Sequence, residues 1–274
     1  MTDRLVCAVD ATPESAGAVC AACAIARVLG MRTVLVHVAE PHGRSTDPAR
    51  ARGSIELERS LAGLALPPDA IRRVEVGDPA ELVTAAADDE GAGLIVAGTR
   101  RARARAKALF GSVASRIVEL ADAPVVIAPR SRRDSALAGE LHPAREVLIA
   151  VDGSDEGRAA AALAGRLARR ARARIVLCHV VPPLPPAAAP PAGIVPPITD
   201  NEGVDGWRIL EDARQVIPDG DVVDLELKHG LPARELEELA RDRGTDLIAL
   251  GTRRPGPAQA AGGGIDRGRP RGVG

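Results

Sequence analysis

The sequence predicts an α/β fold, a doubly wound five-stranded parallel sheet that occurs in two tandem copies. Apolar, β-branched runs alternate with helical patterns along the chain, which is typical of βαβ units. A length of 274 residues is enough for two domains that each bury a core. The duplication is visible in three pairs of segments: Arg4–Asp10 and Glu146–Asp152, Val34–Val38 and Val176–Val180, and Leu94–Arg101 and Leu247–Arg254.

The helices and strands of the first copy can be predicted from the spacing of apolar residues and from the cap and turn residues between them. Thr12 and Pro13 suggest a cap and a first helical residue, and Asp78 and Pro79 repeat that pattern before a later helix. We expect strands at 4–9, 33–38, 71–76, 94–98 and 124–128, and helices at 13–28, 48–63, 79–90 and 112–122.

The repeat divides the chain into a first domain at 1–130, a polar linker at 131–143 and a second domain at 144–274. The second copy carries a longer loop, Pro182–Asp200, rich in proline and alanine. Beyond Arg254 no amphipathic helix or apolar strand can be recognised. We therefore expect the second copy to lack the final helix and strand, with 255–274 irregular.

Composition excludes several functional classes. A net charge of −1 argues against a general nucleic-acid or membrane-surface binder. No apolar run approaches the roughly 20 residues needed to span a bilayer. The chain enters a strand at Arg4 without a signal-peptide core, which favours a cytoplasmic protein.

Cys20 and Cys23 have the spacing of a redox or half-zinc site. No second Cys/His pair stands nearby to complete four ligands, and alanine surrounds both cysteines. We interpret them as helix-packing residues.

The most informative stretch runs from Leu94 to Pro129. An apolar strand ends at Gly98, a basic loop containing Arg101 follows, and Gly111-Ser112-Val113 begins a helix. Glycines let backbone N–H groups approach an anion, and a helix N-terminus adds unpaired donors. The P-loop and Rossmann signatures do not occur in the sequence. Alone, Ser112 could be a simple helix cap and the arginines a solvated charge run.

This spacing resembles the phosphate-binding signature of the universal stress protein family, Gly-x2-Gly-x9-Gly-(Ser/Thr). Arg101 stands where the second glycine belongs. The resemblance implies the adenine-nucleotide alpha-hydrolase-like fold and bound ATP, with or without Mg²⁺. It places Asp10 against the adenosine, although Asp10 could equally cap a helix. It also implies a role for the backbone of Val38.

The resemblance implies further binding residues and a weaker second site. In the first copy the implied set is Asp10, Val38, Gly98, Arg101, Gly111, Ser112 and Val113, and in the second copy it is Asp152, Val180 and Gly251. His37 and His179 precede the strand-end valines, and we expect them near the rim of the site without a metal partner.

The resemblance further implies a stress-response regulatory module rather than an enzyme. Two alternatives stay open: a partner-binding module without nucleotide, favoured if Arg101 blocks the pocket, and a weak ATPase, for which no water-activating base is apparent.

Members of the family commonly pair through their fifth strands. Because the second copy ends before such a strand, we expect a homodimer through Pro124–Ala128, whose exposed edge offers unpaired backbone donors.

Overall fold

The computed structural model describes residues 3–12, 15–41, 46–98, 112–128, 144–183, 200–217 and 222–252. The first copy contains β1 (Arg4–Ala8), α1 (Ala16–Leu29), β2 (Arg32–Ala39), α2 (Asp47–Leu61), β3 (Ile71–Val76), α3 (Pro79–Asp89), β4 (Leu94–Gly98), α4 (Ser112–Leu120) and β5 (Val125–Ala128). The second contains β6 (Glu146–Ala150), α5 (Asp155–Ala171), β7 (Arg174–Val181), α6 (Asp200–Arg214), β8 (Val223–His229), α7 (Pro232–Arg243) and β9 (Leu247–Leu250).

Each copy forms a parallel sheet with the same strand order. The first sheet runs β3-β2-β1-β4-β5, and the four described strands of the second run β8-β7-β6-β9. The predicted α/β class, the parallel sheets and the tandem duplication are thus confirmed. The predicted linker at 131–143, most of the loop at Pro182–Asp200 and the tail from 255 lie outside the described residues.

The start of the first helix was predicted wrongly. The sequence pattern placed Thr12 as its cap and residue 13 as its first residue, whereas α1 begins at Ala16 with Ser15 at the cap position. The Thr12 carbonyl instead accepts hydrogen bonds from the backbone N–H and hydroxyl of Ser15, at 3.1 and 2.9 Å. A tight turn therefore separates β1 from α1. Strand β1 itself ends at Ala8, one residue before the predicted end.

Both faces of the first sheet are covered, which explains its almost continuous apolar strands. Leu5, Cys7 and Val96 belong to the cluster that contains α1. Val6 and Ile95 point the other way, into the cluster that contains α3 and α4. Since the strands are enclosed on both sides, only their ends are available for a ligand.

The two copies meet through α1 and α5. Leu167 of α5 is buried in the apolar cluster of the first copy. Arg170 Nη1 donates a 2.6 Å hydrogen bond to the carbonyl of Leu29, the last residue of α1. Helix-end carbonyls lack intrahelical donors, so this arginine caps α1 from the other copy. The sequence pattern did not predict this contact.

Among the described residues, none of the helices is both long and apolar enough to cross a bilayer.

Candidate functional site

The first sheet brings three of the predicted residues to one edge. Asp10 follows β1, Val38 lies near the end of β2, and Gly98 ends β4. Strand β1 pairs with β2 on one side and with β4 on the other, so these three strand ends are neighbours. Strands β2 and β3 lie on one side of β1 and strands β4 and β5 on the other, so the direction in which the sheet is built reverses between β1 and β4. In open α/β sheets, ligands bind in the crevice that such a reversal opens at the carboxyl ends.

The carboxylate of Asp10 is held in a defined orientation by the turn after β1. Its Oδ1 accepts a hydrogen bond from the backbone N–H of Thr12 at 3.1 Å and another from the Thr12 hydroxyl at 2.5 Å. Asp10 is partly exposed. It organises the turn rather than capping α1, which begins six residues later. Thr12, predicted as a helix cap, is instead the residue that orients Asp10.

Helix α4 begins at Ser112, as predicted, and both Ser112 and Val113 are exposed at its first turn. Buried Ala114 and Ile117 pack the helix against the sheet. Arg116 Nη2 also donates a 2.6 Å hydrogen bond to Glu81 Oε1 of α3. The first N–H groups of a helix have no intrahelical acceptors and carry partial positive charge. Arg101 and Gly111 lie outside the described residues.

Gly98 and the corresponding glycine of the second copy differ in how closely the described residues approach them. Among those residues, a Cβ added to Gly98 would meet only Ala18 Cβ, at an ordinary contact distance of 3.5 Å. A Cβ added to Gly251 would lie 2.5 Å from the backbone nitrogen of Gly157 and 2.6 Å from the carbonyl carbon of Glu156. The end of β9 is therefore packed directly onto the first turn of α5.

The aspartate of the second copy orients the next turn as Asp10 does, and here the oriented residue, Ser154, caps the helix. Asp152 Oδ1 accepts hydrogen bonds from the backbone N–H of Ser154, at 3.0 Å, and from its hydroxyl. The Ser154 hydroxyl in turn accepts from the N–H of Gly157 at 3.1 Å and caps α5. Val180 is buried, whereas Val38 is partly exposed. The three predicted residues of the second site thus lie at equivalent strand ends. Val180 and Gly251 are less exposed than their counterparts, whereas Asp152 is more exposed than Asp10.

Two residues predicted at the rim are in fact buried. His37 is 4% exposed and His179 is 9% exposed. The Nδ1 of each ring lies 2.8 Å from a backbone carbonyl, that of Val9 for His37 and that of Val151 for His179. A polar residue that alternates with apolar ones along a strand faces solvent only when one face of the sheet is exposed to water. Here helices cover both faces, so the histidine side chains are enclosed.

The cysteine pair behaves as helix-packing residues do. Cys20 and Cys23 are half-buried free thiols on α1, and Cys23 packs against the first apolar cluster. Burial raises the pKa of Cys23 to about 11, so its thiol is protonated and unreactive at neutral pH. Among the described residues, no group of three or more potential metal ligands is present.

The fold defines a tandem, doubly wound α/β protein in which Asp10, Val38 and Gly98 lie at neighbouring strand ends. A sequence model of the universal stress protein family matches residues 1–129 and 143–266. The chain therefore belongs to the universal stress protein family. No curated protein sequence matches it.

Two solved structures show the same fold along most of the chain, and a third is similar to part of it in sequence. A universal stress protein from Archaeoglobus fulgidus DSM 4304 is 17% identical, covers 90% of this chain and 86% of its own, and superposes with a TM-score of 0.62. A family protein from Pseudomonas aeruginosa UCBPP-PA14 is 14% identical, covers 90% and 81%, and has a TM-score of 0.54. An Archaeoglobus fulgidus universal stress protein solved in complex with dAMP is 22% identical, covers 45% and 95%, and has a TM-score of 0.32.

Proposed function

We propose that the first copy binds one adenine nucleotide, ATP, and that the protein acts as a nucleotide-responsive regulatory module in the stress response. The observation that carries this proposal is the meeting of Asp10, Val38 and Gly98 at adjacent strand ends, at the point where the strand order reverses. Family membership supports it, because the Gly98, Gly111 and Ser112 spacing follows the family's phosphate-binding signature.

Each residue has a role that its position permits. Asp10 accepts a hydrogen bond from a hydroxyl of the sugar or an amine of the base, and the backbone of Val38 contacts the adenosine. The exposed N–H groups at the start of α4, together with the Ser112 hydroxyl, bind phosphate oxygens. In this proposal Gly98 and Gly111 let the backbone approach the phosphates, and Arg101 supplies a guanidinium to them.

The second copy binds nucleotide weakly or not at all. Gly251 is packed against the backbone of α5, which leaves little room beside β9 for a phosphate group. Isothermal titration with ATP, with and without Mg²⁺, should therefore give about one site per chain. Two sites of equal affinity would contradict the assignment to the first copy, and no binding would favour the partner-binding alternative. Release of phosphate from bound ATP would identify an ATPase.

Substitution of Ser112 tests the phosphate contact. Ser112→Ala should weaken ATP binding by about 1.5–3 kcal/mol, because a hydrogen bond to a charged group is lost. Ser154→Ala is the matched control, since Ser154 caps α5 in the copy that is not expected to bind. It should lower the stability of the second copy and leave ATP affinity unchanged. Equal affinities for wild type and Ser112→Ala would remove Ser112 from the site.

We also propose a homodimer through β5. Strand β5 is at one end of the first sheet among the described strands, with Val125 and Ile127 half-buried. An exposed sheet edge offers backbone groups for pairing with a second chain about a two-fold axis. Val125→Lys should produce monomers in analytical ultracentrifugation. Ile248→Lys on β9, where the native side chain is 42% exposed, is the control and should leave the dimer intact. A native chain that sediments as a monomer at tens of micromolar would refute this proposal.

A further inference from the structure

His37 is a buried polar residue at the end of β2, immediately before Val38. Its Nδ1 lies 2.8 Å from the carbonyl oxygen of Val9. Because a carbonyl can only accept, Nδ1 carries the proton and donates it to this bond. The donor thus comes from β2 and the acceptor from the residue that precedes Asp10.

Val9 is attached to β2 at both of its backbone polar groups. Its N–H donates a 2.8 Å hydrogen bond to the carbonyl of Val36, and its carbonyl accepts the bond from His37. Regular strand structure in β1 has already ended at Ala8. The imidazole therefore extends the attachment of β1 to β2 beyond the regular strand, up to the residue before Asp10.

Helix α2 packs against the imidazole. His37 Nε2 is buried, lies 3.4 Å from Glu56 Oε2 and makes no hydrogen bond within the described residues. Gly53 lets the helix approach closely, because an added Cβ would lie 2.8 Å from Val74 Cγ1 and 3.4 Å from His37 Cδ2. The ring is thus enclosed between β1 and α2, and turning it would break its hydrogen bond to the Val9 carbonyl.

The second copy repeats the arrangement around His179. Its Nδ1 lies 2.8 Å from the carbonyl of Val151, which precedes Asp152. A Cβ on Gly206 would lie 3.2 Å from His179 Cδ2, so a glycine again faces the ring. Ile209 occupies the position of Glu56 in the repeat. The second copy therefore provides a structural equivalent of the same bond, at a strand end that we do not expect to bind ATP.

We propose that His37 is a positioning residue for the nucleotide site. Through the Val9 carbonyl it holds Asp10 at a fixed place relative to Val38, so that the two residues bind the adenosine part of one ligand together. This inference rests on the proposed function of the first copy. His37 itself contacts the backbone rather than the nucleotide.

The experiment compares ATP affinity in four variants. His37→Leu fills the space but has no donor, and it should weaken binding about ten-fold or more, because Asp10 is no longer held in place. His37→Asn should restore most of the affinity, since its amide nitrogen is as many bonds from Cα as Nδ1. His37→Gln places the donor one bond too far and should not. His179→Leu removes the equivalent bond from the second copy and should change affinity by less than about two-fold.

Hydrogen exchange gives a second readout that does not need a ligand. The N–H of Thr12 is bonded to Asp10 Oδ1, so its exchange should accelerate in His37→Leu and stay at the wild-type rate in His179→Leu. If His37→Leu does not fold, the comparison of His37→Asn with His37→Gln replaces it in both assays.

Three results would overturn the inference. The first is that His37→Leu keeps both the wild-type exchange rate of the Thr12 N–H and the wild-type affinity for ATP. The second is an equal loss of affinity in His179→Leu, which would indicate a general structural effect. The third is equal affinity in His37→Asn and His37→Gln. If the wild-type chain binds no ATP, the proposed function fails, whereas Thr12 exchange still decides whether His37 holds the end of β1.

Discussion

The two copies carry the same ion pair at the amino ends of their sheets, with the charges reversed. In the first copy Arg4, which starts β1, pairs with Glu90 after α3. In the second copy Glu146, which starts β6, pairs with Arg243 at the end of α7, at 3.1 Å. The fold thus needs opposite charges at these two places but not a particular order of them.

The reversal extends to the neighbouring strand. Arg73 of β3 lies 2.7 Å from Glu75 and 3.7 Å from Glu90. Their counterparts have the opposite signs, with Glu226 of β8 lying 3.8 Å from Lys228 and 3.4 Å from Arg243. If β1 replaced β6 in the second sheet, Arg4 would face Arg243. Like charges in contact are unfavourable, so the reversal favours pairing of each strand within its own copy.

The opposite ends of the sheets differ in another way. At the carboxyl ends, Asp10 and Asp152 orient equivalent turns, but Gly98 has only Ala18 near it among the described residues, whereas Gly251 packs onto α5. The amino ends preserve an interaction that stabilises both copies, and the carboxyl ends are where the copies diverge. We propose that this divergence is the reason why the first copy alone binds the nucleotide.

The largest expected effect comes from breaking the more buried of the two ion pairs. Arg243→Gln leaves Glu146, only 2% exposed, without its main partner. We expect a loss of about 3 kcal/mol in the free energy of unfolding, the lower end for a broken buried pair, because Arg174 and Thr245 still reach the carboxylate. Chemical denaturation measures this loss, and hydrogen exchange should locate it in the second copy.

The matched change in the first copy is Glu90→Gln. Its partner Arg4 has a side chain that is 35% exposed and can be solvated, so we expect a cost of about 1 kcal/mol or less. Adding Glu146→Gln to Arg243→Gln should recover much of the stability by removing the unpaired buried charge. Equal costs for Arg243→Gln and Glu90→Gln would show that burial does not distinguish the two pairs.

The second prediction compares the same substitution at the two strand-end glycines. Gly251→Ala should destabilise the second copy by about 1–3 kcal/mol, because its methyl group would meet backbone atoms of α5 that cannot rotate away. Gly98→Ala should change stability by no more than about 0.5 kcal/mol, since Ala18, at an ordinary contact distance, is the one described residue near the added methyl group. It should nevertheless weaken ATP binding. Thermal unfolding and titration of both variants separate these effects, and a stable Gly251→Ala protein would refute the close packing of β9.

The smallest expected effect concerns the caps of α3 and α7. Asp78 Oδ1 accepts hydrogen bonds from Ala80 and Glu81, each at 3.0 Å, and Asp78→Ala should cost about 1 kcal/mol. The equivalent cap position of α7 is Leu231, which has an extended backbone, no cap hydrogen bond from its side chain and 62% exposure. Leu231→Asp should stabilise the second copy by about 1 kcal/mol. A neutral or destabilising result in urea denaturation would show that the α7 cap geometry differs from that of α3.

Several elements could be predicted from the sequence because their determinants are local. The apolar run Leu94–Gly98 can only be a buried strand, and Asp78 before Pro79 has the chemistry of a helix cap. The start of α1 could not be predicted, since Thr12 fits a cap as well as Ser15 does. The hydrogen bonds between Thr12 and Asp10 decided between them.

The candidate site shows the same division. The glycine spacing pointed to Gly98 and Ser112 as candidates, and the resemblance to the family added Asp10 and Val38. It did not show the role of His37, although the recurrence of His179 before the second strand-end valine was a visible signal. Whether a strand histidine faces solvent or a helix depends on what covers the sheet.

The amino-acid sequence by itself determined the fold class, the duplication and the strand ends at which a ligand can bind, because these depend on period, punctuation and repetition along the chain. Only the tertiary structure showed that α1 packs on α5 and that opposite charges meet at the amino ends of both sheets. It also showed that the described residues approach Gly251 much more closely than Gly98. These features depend on contacts between residues far apart in the chain, whose distances and burial no local pattern encodes.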